Sequence, residues 1–231
     1  VITVACVYRT GGDFRADYVR RLASAVRRNL EIEHTFVCIT DVPEGELDGV
    51  KRIIRPEYSW PGWWTKMELF RLPGPLLYLD LDTIIVANID RLALTLTGRD
   101  PKALVMLDDF YTHKPSSGIM AWSVNQSGIY AAFCRLAKGH DLRWIPGRHG
   151  IGLRAHGTTF RGDQDWLRAL VVSDQIPIER TQDLSHGVCS YKVHVQRTGR
   201  VPENAKLVCF HGYPRPHEVS PPPAWIGEHW R

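Results

Sequence analysis

Two aspartates one residue apart, Asp80 and Asp82, interrupt the most apolar stretch of the chain, Leu76-Leu77-Tyr78-Leu79-Asp80-Leu81-Asp82-Thr83-Ile84-Ile85-Val86. A run so rich in Leu, Val and Ile reads as a central strand of an α/β sheet, because helices cover both faces of such a strand. Charge at its C-terminal end needs a reason. In extended chain, residues i and i+2 point to the same side. Both carboxylates can therefore offer oxygen ligands to a hard divalent cation at the crevice where open α/β sheets bind their ligands. The alternative is that the two aspartates only end a strand and cap the next helix, expected over Ile89–Leu96.

Other groups with chemistry are spread along the chain. Lys66 falls in the first turn of a short helix expected over Thr65–Leu72, where a helix dipole does not favour a cation; it either pairs with an anion or is solvated. Ser117 and Gly118 enter a strand where a small residue allows close approach of a ligand, although a simple turn explains them as well. Asp163, Gln164 and Asp165 start a helix, where first-turn acids satisfy capping and the dipole without any ligand. His211 and Gly212 close a late apolar strand. Trp60, Trp63 and Trp64 make an unusually aromatic loop that offers stacking faces for a sugar ring or a nucleobase. His140, His149 and His156 lack tight metal-ligand spacing and read as loop histidines.

The elements that must position these groups alternate strand and helix. Val1–Val7 reads as a buried strand, with Tyr8 and Arg9 at its C-terminal edge. Those two either hold a base or ribose or belong to a plain loop. Gly11-Gly12 follows without the full GxGxxG of a dinucleotide fingerprint. Phe14, Tyr18, Val19, Leu22 and Val26 then recur at helical spacing, with Asp13 placed to cap. Strands follow over Thr35–Thr40 and Val50–Ile54. Further on, Ala103–Leu107 runs into Asp108-Asp109, Ile119–Val124 is a strand, and Gln126–Lys138 is a helix that buries Ile129, Phe133, Leu136 and Ala137 and ends at Gly139. His140–Gly162 carries Gly147, Gly150, Gly152 and Gly157 along its length and reads as a long irregular segment. Ile176–Gln196 alternates short strand-like pieces with turns. Lys206–Phe210 is a final buried strand, before a Pro-rich tail. The pattern predicts one α/β domain with a mainly parallel sheet flanked by helices.

Length and composition agree with that. At 231 residues, 44% hydrophobic and 23% charged, the chain has the make-up of one sizeable globular domain, not of a disordered segment. No apolar run approaches the roughly 18–20 residues that span a bilayer. The N-terminal stretch lacks a basic region and a cleavage site, so a cytoplasmic enzyme is expected. The five cysteines show no CxxC spacing and read as reduced core residues. The formal charge is +4, and only seven of the 29 basic residues are lysines. The arginine excess permits a phosphorylated or nucleic-acid substrate without demonstrating one.

Taken in order, these signals resemble the nucleotide-sugar glycosyltransferases of the GT-A fold, most of all the family 8 group of glycogenin and galactosyltransferases. Trp64-Thr65-Lys66-Met67-Glu68-Leu69-Phe70, the strand with Asp80-Leu81-Asp82 and Asn88-Ile89-Asp90-Arg91-Leu92 are similar to the family's TK-L-x-x-F, LDxD and nid-L run. Ser117-Gly118-Ile119-Met120 is similar to its NSGvm segment, and Asp163-Gln164-Asp165-Trp166-Leu167 to its DQDxLN. The family's H-F-x-G-x-x-K-P-W is altered: His211 abuts Gly212, Arg215 stands for the lysine and His217 for the tryptophan.

The resemblance implies a single GT-A (Rossmann-like) domain over 1–231, with a nucleotide- and metal-binding half at 1–98 and a donor-sugar and acceptor half at 99–231. It implies Mn²⁺ or Mg²⁺ on Asp80, Asp82 and His211, a mixed donor set that suits manganese. A UDP-sugar is the implied donor, its nucleotide and diphosphate met by Tyr8, Arg9, Lys66, Asp80, Leu81, Gly212 and Arg215. Asp163 would order sugar hydroxyls and Gln164 would sit below the anomeric carbon as the catalytic pair. Ser117, Gly118, Asp108, Asp109, Asp165, Trp63 and Trp64 would face the donor sugar or the acceptor. Family membership implies retention of configuration. Glutamine is a poor nucleophile, so same-face displacement through an oxocarbenium-like state fits better than a stable covalent intermediate. Inversion would instead require Asp108, Asp109 or Asp165 as the base. The acceptor stays open among a glycan, a protein, a lipid-linked sugar and a nucleic acid such as hydroxymethylated phage-type DNA. The rival readings are a sugar nucleotidyltransferase, which wants an early lysine-bearing phosphate loop, and a catalytically inactive carbohydrate- or nucleic-acid-binding module.

Overall fold

The structure, a computed structural model, describes residues 1–43, 45–47, 49–50, 52–138, 143–147, 150–155, 157–173 and 175–231. The expected helix stop at Gly139, the loop histidines His140, His149 and His156, and Lys51 of the expected third strand lie outside the described residues.

The first half runs β1 (Ile2–Tyr8), α1 (Ala16–Asn29), β2 (His34–Thr40), β3 (Ile53–Ile54), a 3₁₀-helix over Gly62–Arg71, β4 (Leu76–Leu79), β5 (Thr83–Ile85) and α2 (Asp90–Thr97). The second half opens with β6 (Leu104–Asp108), β7 (Pro115–Trp122), α3 (Ser127–Ala137), β8 (Arg143–Gly147), β9 (Gly150–Ala155) and β10 (Thr158–Phe160). It continues through α4 (Asp163–Val172), β11 (Ile178–Arg180), α5 (Thr181–Leu184), β12 (Val188–Ser190), a π-helical turn over Tyr191–Val195, β13 (Leu207–Cys209) and α6 (Ala224–His229).

The main sheet has seven strands in the order β11-β6-β7-β4-β1-β2-β3. Only β7 runs against its neighbours, so the sheet is mainly parallel as the sequence predicts. In β4 the period of two divides a wholly buried strand between two cores. Leu77 and Leu79 face α1 and α2, where Tyr18, Leu22, Val26, Leu92 and Leu96 pack. Leu76 and Tyr78 face the 3₁₀-helix and α3, where Trp64, Phe70, Phe133 and Trp122 pack. The sheet draws on both sides of residue 98, and the two halves are joined by the β4–β7 ladder.

Three expectations are corrected. First, the run Leu76–Val86 breaks at the two aspartates as expected, with β4 in the main sheet, but the resumed apolar chain, β5, turns away to pair antiparallel with β13 in a second sheet of order β12-β13-β5. The aspartates occupy the turn between them, closed by Thr83 N–H donating to the Asp80 carbonyl at 3.0 Å. They are therefore aimed by a turn, not by extended chain. Second, Asp13 does not cap α1. Arg15 holds the N-cap position without a side-chain bond, and Asp13 instead pairs with Arg215 at 3.2 Å. Third, residues 143–160 form the antiparallel sheet β8-β9-β10. Of the glycines that suggest an irregular segment, Gly147 and Gly150 pair at the end of the β8–β9 ladder, Gly152 lies inside β9 opposite Ile145, and Gly157 separates β9 from β10 at φ +77°, where a side chain would be strained.

Candidate active site

The C-terminal ends of β4 and β6, the start of β7, the head of α4, the end of β13 and the concave side of β8–β10 enclose a cavity of about 820 Å³. Of the residues expected from sequence, Trp63, Lys66, Asp80, Asp82, Ser117, Gly118, Asp163, Gln164, Asp165, His211, Gly212 and Arg215 all border it. They come from five separate segments.

The centre of charge is the β4–β5 turn. Asp80 N–H donates to the Gly118 carbonyl at 3.0 Å, and Phe210 N–H to the Asp82 carbonyl at 3.1 Å, so strands from both sheets fix the turn's backbone. Lys66 lies 2.8 and 3.0 Å from the two carboxylate oxygens of Asp80, and the Tyr78 hydroxyl also donates to Asp80. Burial alone would lower the Lys66 pKa, but Asp80 and Asp163 more than offset it, so the ammonium is held charged. The helix starts at Gly62, not Thr65, so Lys66 is its fifth residue and the first-turn misfit expected from sequence does not arise; of the two expected roles, pairing with an anion is the one found. Asp82 is buried and bound by the Arg215 guanidinium, which also reaches Asp13. Burial and then the charge of Asp80 push the Asp82 carboxyl up; Arg215 only partly offsets this.

At the head of α4, Asp163 is 4% exposed and its Oδ2 has no hydrogen-bond partner among the described residues. Burial raises its pKa, with Lys66 opposing. An orphaned acceptor in a cavity wall is costly unless a ligand donates to it. Gln164 Oε1 accepts from Ser117 N–H at 3.3 Å, which ties the amide to the entry of β7. Asp165 is engaged by Arg168 at 3.4 Å and by the Arg161 N–H.

Several candidates lie elsewhere. Trp64 is wholly buried, its ring stacked on Phe133 and its indole N–H donating to the Ile151 carbonyl at 2.6 Å, so it has no free face for a sugar. Trp60 is also in the core, and only Trp63 of the three borders the cavity. Leu81 packs in the core beneath the turn. Asp108 is held by Arg180 at 2.8 Å and its backbone by Gln182, and Asp109 closes its own turn through Tyr111 and Thr112. Neither borders the cavity. Tyr8 is buried at the end of β1, and Arg9 pairs with Asp41 at 3.4 Å.

Two carboxylates and an imidazole on one wall suit a hard or borderline divalent cation in kind. Burial, then Lys192, hold His211 towards the neutral form that a ligand needs. Among the described residues, however, no three such groups converge on one point. Asp82 is taken by Arg215, and His211 Nε2 lies 2.6 Å from Ser190 Oγ with its ring stacked on Phe110. Asp80 and Asp82 thus offer the donor atoms a cation needs but are each paired with a side-chain cation, and His211 stands on the same wall with its nitrogen otherwise engaged.

Residues with no motif signal also enter the site. Tyr78 anchors Asp80 from within a strand whose alternation marked it only as core. Arg161 and Thr159 border the cavity from the end of β10; the period of two in Thr159-Phe160-Arg161 carries the signal. Gly162 packs against the Trp63 indole so closely that a Cβ there would lie 2.8 Å from its Nε1.

No protein-family model and no curated protein matches the chain. Solved structures do match it. The galactosyltransferase LgtC in complex with donor and acceptor sugar analogues gives a TM-score of 0.59 at 11% identity, covering 100% of this chain and 97% of that one. The glycosyltransferase GlyE of Streptococcus pneumoniae TIGR4 gives 0.59 at 13% identity over 93% of this chain, which spans only 55% of the GlyE chain. Mouse xyloside xylosyltransferase 1 gives 0.52 at 13% identity, over 92% of this chain and 98% of that one. The chain has the GT-A fold, as its resemblance to family 8 implies.

Proposed function

We propose that the chain is a metal-dependent glycosyltransferase that moves a sugar from a nucleoside-diphosphate sugar, UDP-sugars foremost, to an acceptor hydroxyl. One observation carries this reading. Lys66, the Asp80–Asp82 turn, Ser117, Asp163-Gln164 and Arg215, spread over 150 positions, border a single cavity at the C-terminal edge of a GT-A sheet. A catalytically inactive binding module has no need of a buried and a half-buried carboxylate facing two cations and an orphaned acceptor together.

The roles that the resemblance implies are supported by this geometry as follows. Asp80 and Asp82 would hold Mn²⁺ or Mg²⁺, with His211 as the third ligand once it leaves Ser190; the ion supplies Lewis-acid charge beside the diphosphate when bound. Lys66 and Arg215 place positive charge where the leaving nucleoside diphosphate gains negative charge. The unpartnered Oδ2 of Asp163 would accept a hydroxyl of the donor sugar. Gln164, fixed through Ser117, would face the anomeric carbon, and its amide favours same-face displacement with retention over a stable covalent intermediate. Tyr8 and Arg9, at the end of the strand beside β4, would lie towards the base and ribose.

The test is a donor screen that reads hydrolysis of UDP-, GDP- and ADP-sugars with Mn²⁺ and after its removal by EDTA, together with thermal shifts. UDP plus Mn²⁺ should raise the melting temperature of the wild type and not of Asp80→Ala. If no nucleoside diphosphate stabilises the protein with or without metal, the reading is wrong.

A further inference from the structure

The β8–β10 sheet has two unlike faces. In register, Trp144, Leu153 and Phe160 sit opposite one another and pack into the core beside Trp64 and Phe133. Cross-strand partners share a face, and alternate residues return to it. The other face therefore carries Arg143, Arg154 and Thr159 in one row, then Ile145 and Gly152, with Arg161 two positions beyond Thr159. Ile145, Gly152, Thr159 and Arg161 border the cavity, so this is the face turned towards it.

That face is basic without compensation. The three strands contain no acidic residue. Arg143, Arg154 and Arg161 are exposed, and none makes an ion pair among the described residues. Their contrast with the other cations at the cavity is direct: Lys66 is spent on Asp80 and Arg215 on Asp82 and Asp13. Of the acids near the three arginines in sequence, Asp141 lies outside the described residues, Asp163 is buried at the head of α4 and Asp165 already has Arg168. Beside Arg161, the Trp63 indole lies over Gly162 and is 36% exposed.

We infer that this wall is the acceptor subsite and that the acceptor is an acidic sugar, one whose ring stacks on Trp63 while its carboxylate or phosphate meets Arg161 and the Arg154–Arg143 row. The inference rests on the glycosyltransferase reading for its naming of the acceptor, and it adds the chemical class. An oxyanion matches the planar fork of an arginine, and an exposed indole beside it matches a pyranose face. A single-stranded nucleic acid would want successive aromatic platforms along the arginine row, and here Trp144 and Phe160 are turned inward.

Binding of methyl β-glucuronide, glucose 6-phosphate and methyl β-glucoside, measured by calorimetry with and without UDP and Mn²⁺, tests this. At least one of the two charged sugars should bind about tenfold tighter than the neutral glucoside, and the tighter of the two identifies the anion. Arg161→Gln should reduce the preference, the triple change with Arg143→Gln and Arg154→Gln should bring it within about twofold, and Arg161→Lys should keep part of it. Trp63→Ala should weaken charged and neutral sugars alike. Equal binding of all three sugars by the wild type overturns the inference, as does a preference that the triple variant retains. So does tighter binding of a short oligothymidylate with a steep salt dependence, which would assign the row to nucleic acid. These ratios are read on sugar binding, so they stand or fall apart from the donor and metal test above.

Discussion

Removing Arg215 should expose how the Asp80–Asp82 turn is held. In Arg215→Met the aliphatic stem is largely kept, but Asp82 loses its guanidinium. The two side chains are 13% and 7% exposed, so this is a nearly dry ion pair, whereas Asp13, the second partner, is 52% exposed. Stripping one partner from a buried pair costs about 3–5 kcal/mol, and an exposed pair adds about 0–1. Asp82 can take up a proton in the variant, which favours the lower end, about 3 kcal/mol. For a chain of this size that is a fall of roughly 6–12 °C in melting temperature. Scanning calorimetry in EDTA would read it directly. Repeating the scan in millimolar Mn²⁺ adds a second arm. A cation that shares Asp82 with Arg215 should stabilise the variant more than the wild type, because it no longer competes with the guanidinium and ligand binding to the native state adds to stability. A variant that melts within about 2 °C of wild type in EDTA would refute the structural argument. An equal Mn²⁺ shift in both proteins would refute the competition.

Two further outcomes follow from other parts of the molecule. Glu68 is wholly buried and accepts from the Glu57 and Tyr58 N–H groups at 3.1 Å each and from Arg71 at 2.8 Å. Glu68→Ala leaves the two backbone N–H groups unpaired and Arg71 with only its weaker contacts to Glu57 and the Arg55 carbonyl, and should cost about 3 kcal/mol, read as a lower urea midpoint with an unchanged slope. Asp41 and Asp109 are pressed towards higher pKa by partial burial, but hydrogen bonds from Thr10, and from Thr112 and Tyr111, bring both below the ordinary 3.8. A depressed carboxylate contributes stability above its unfolded value and loses it as pH falls through the folded one. Acid titration should therefore show stability falling below pH 3.8, and Asp41→Asn and Asp109→Asn should flatten that limb.

What the sequence shows of the site is the part that short motifs encode. Lys66, Asp80, Asp82, Asp163 and Gln164 come to one edge; Asp163 and Gln164 open a helix as their pattern predicts, whereas Asp80 and Asp82 sit in a turn and Lys66 in the middle of its helix. Side-chain direction is where the reading stops. Trp63 and Trp64 are neighbours on one 3₁₀-helix, and only packing against Phe133 decides which enters the core. His211 ends its strand as expected, but its ring is turned by Ser190, 21 residues away, which no local pattern announces. Arg161 is hidden for a different reason. Glycine-rich chain reads as irregular, yet glycine also punctuates tight hairpins, and the alternation that separates the two cases lies in strands of only three to six residues.

The antiparallel ladder between β5 and β13 ties Thr83–Ile85 to Leu207–Cys209. Everything between, from α2 through the β8–β10 sheet to β12, is thereby a closed excursion whose two ends are clamped side by side next to the aspartate turn. Closing a loop costs free energy that grows only slowly with its length. Segments within that excursion can lengthen, shorten or be exchanged while the clamp preserves the spacing of Asp80, Asp82 and His211. Within the excursion, β6, β7 and β11 complete the main sheet and α4 carries Asp163 and Gln164. The part that belongs to neither the main sheet nor the clamp is the β8–β10 sheet, which offers a natural boundary for grafting a different cavity wall onto this chain.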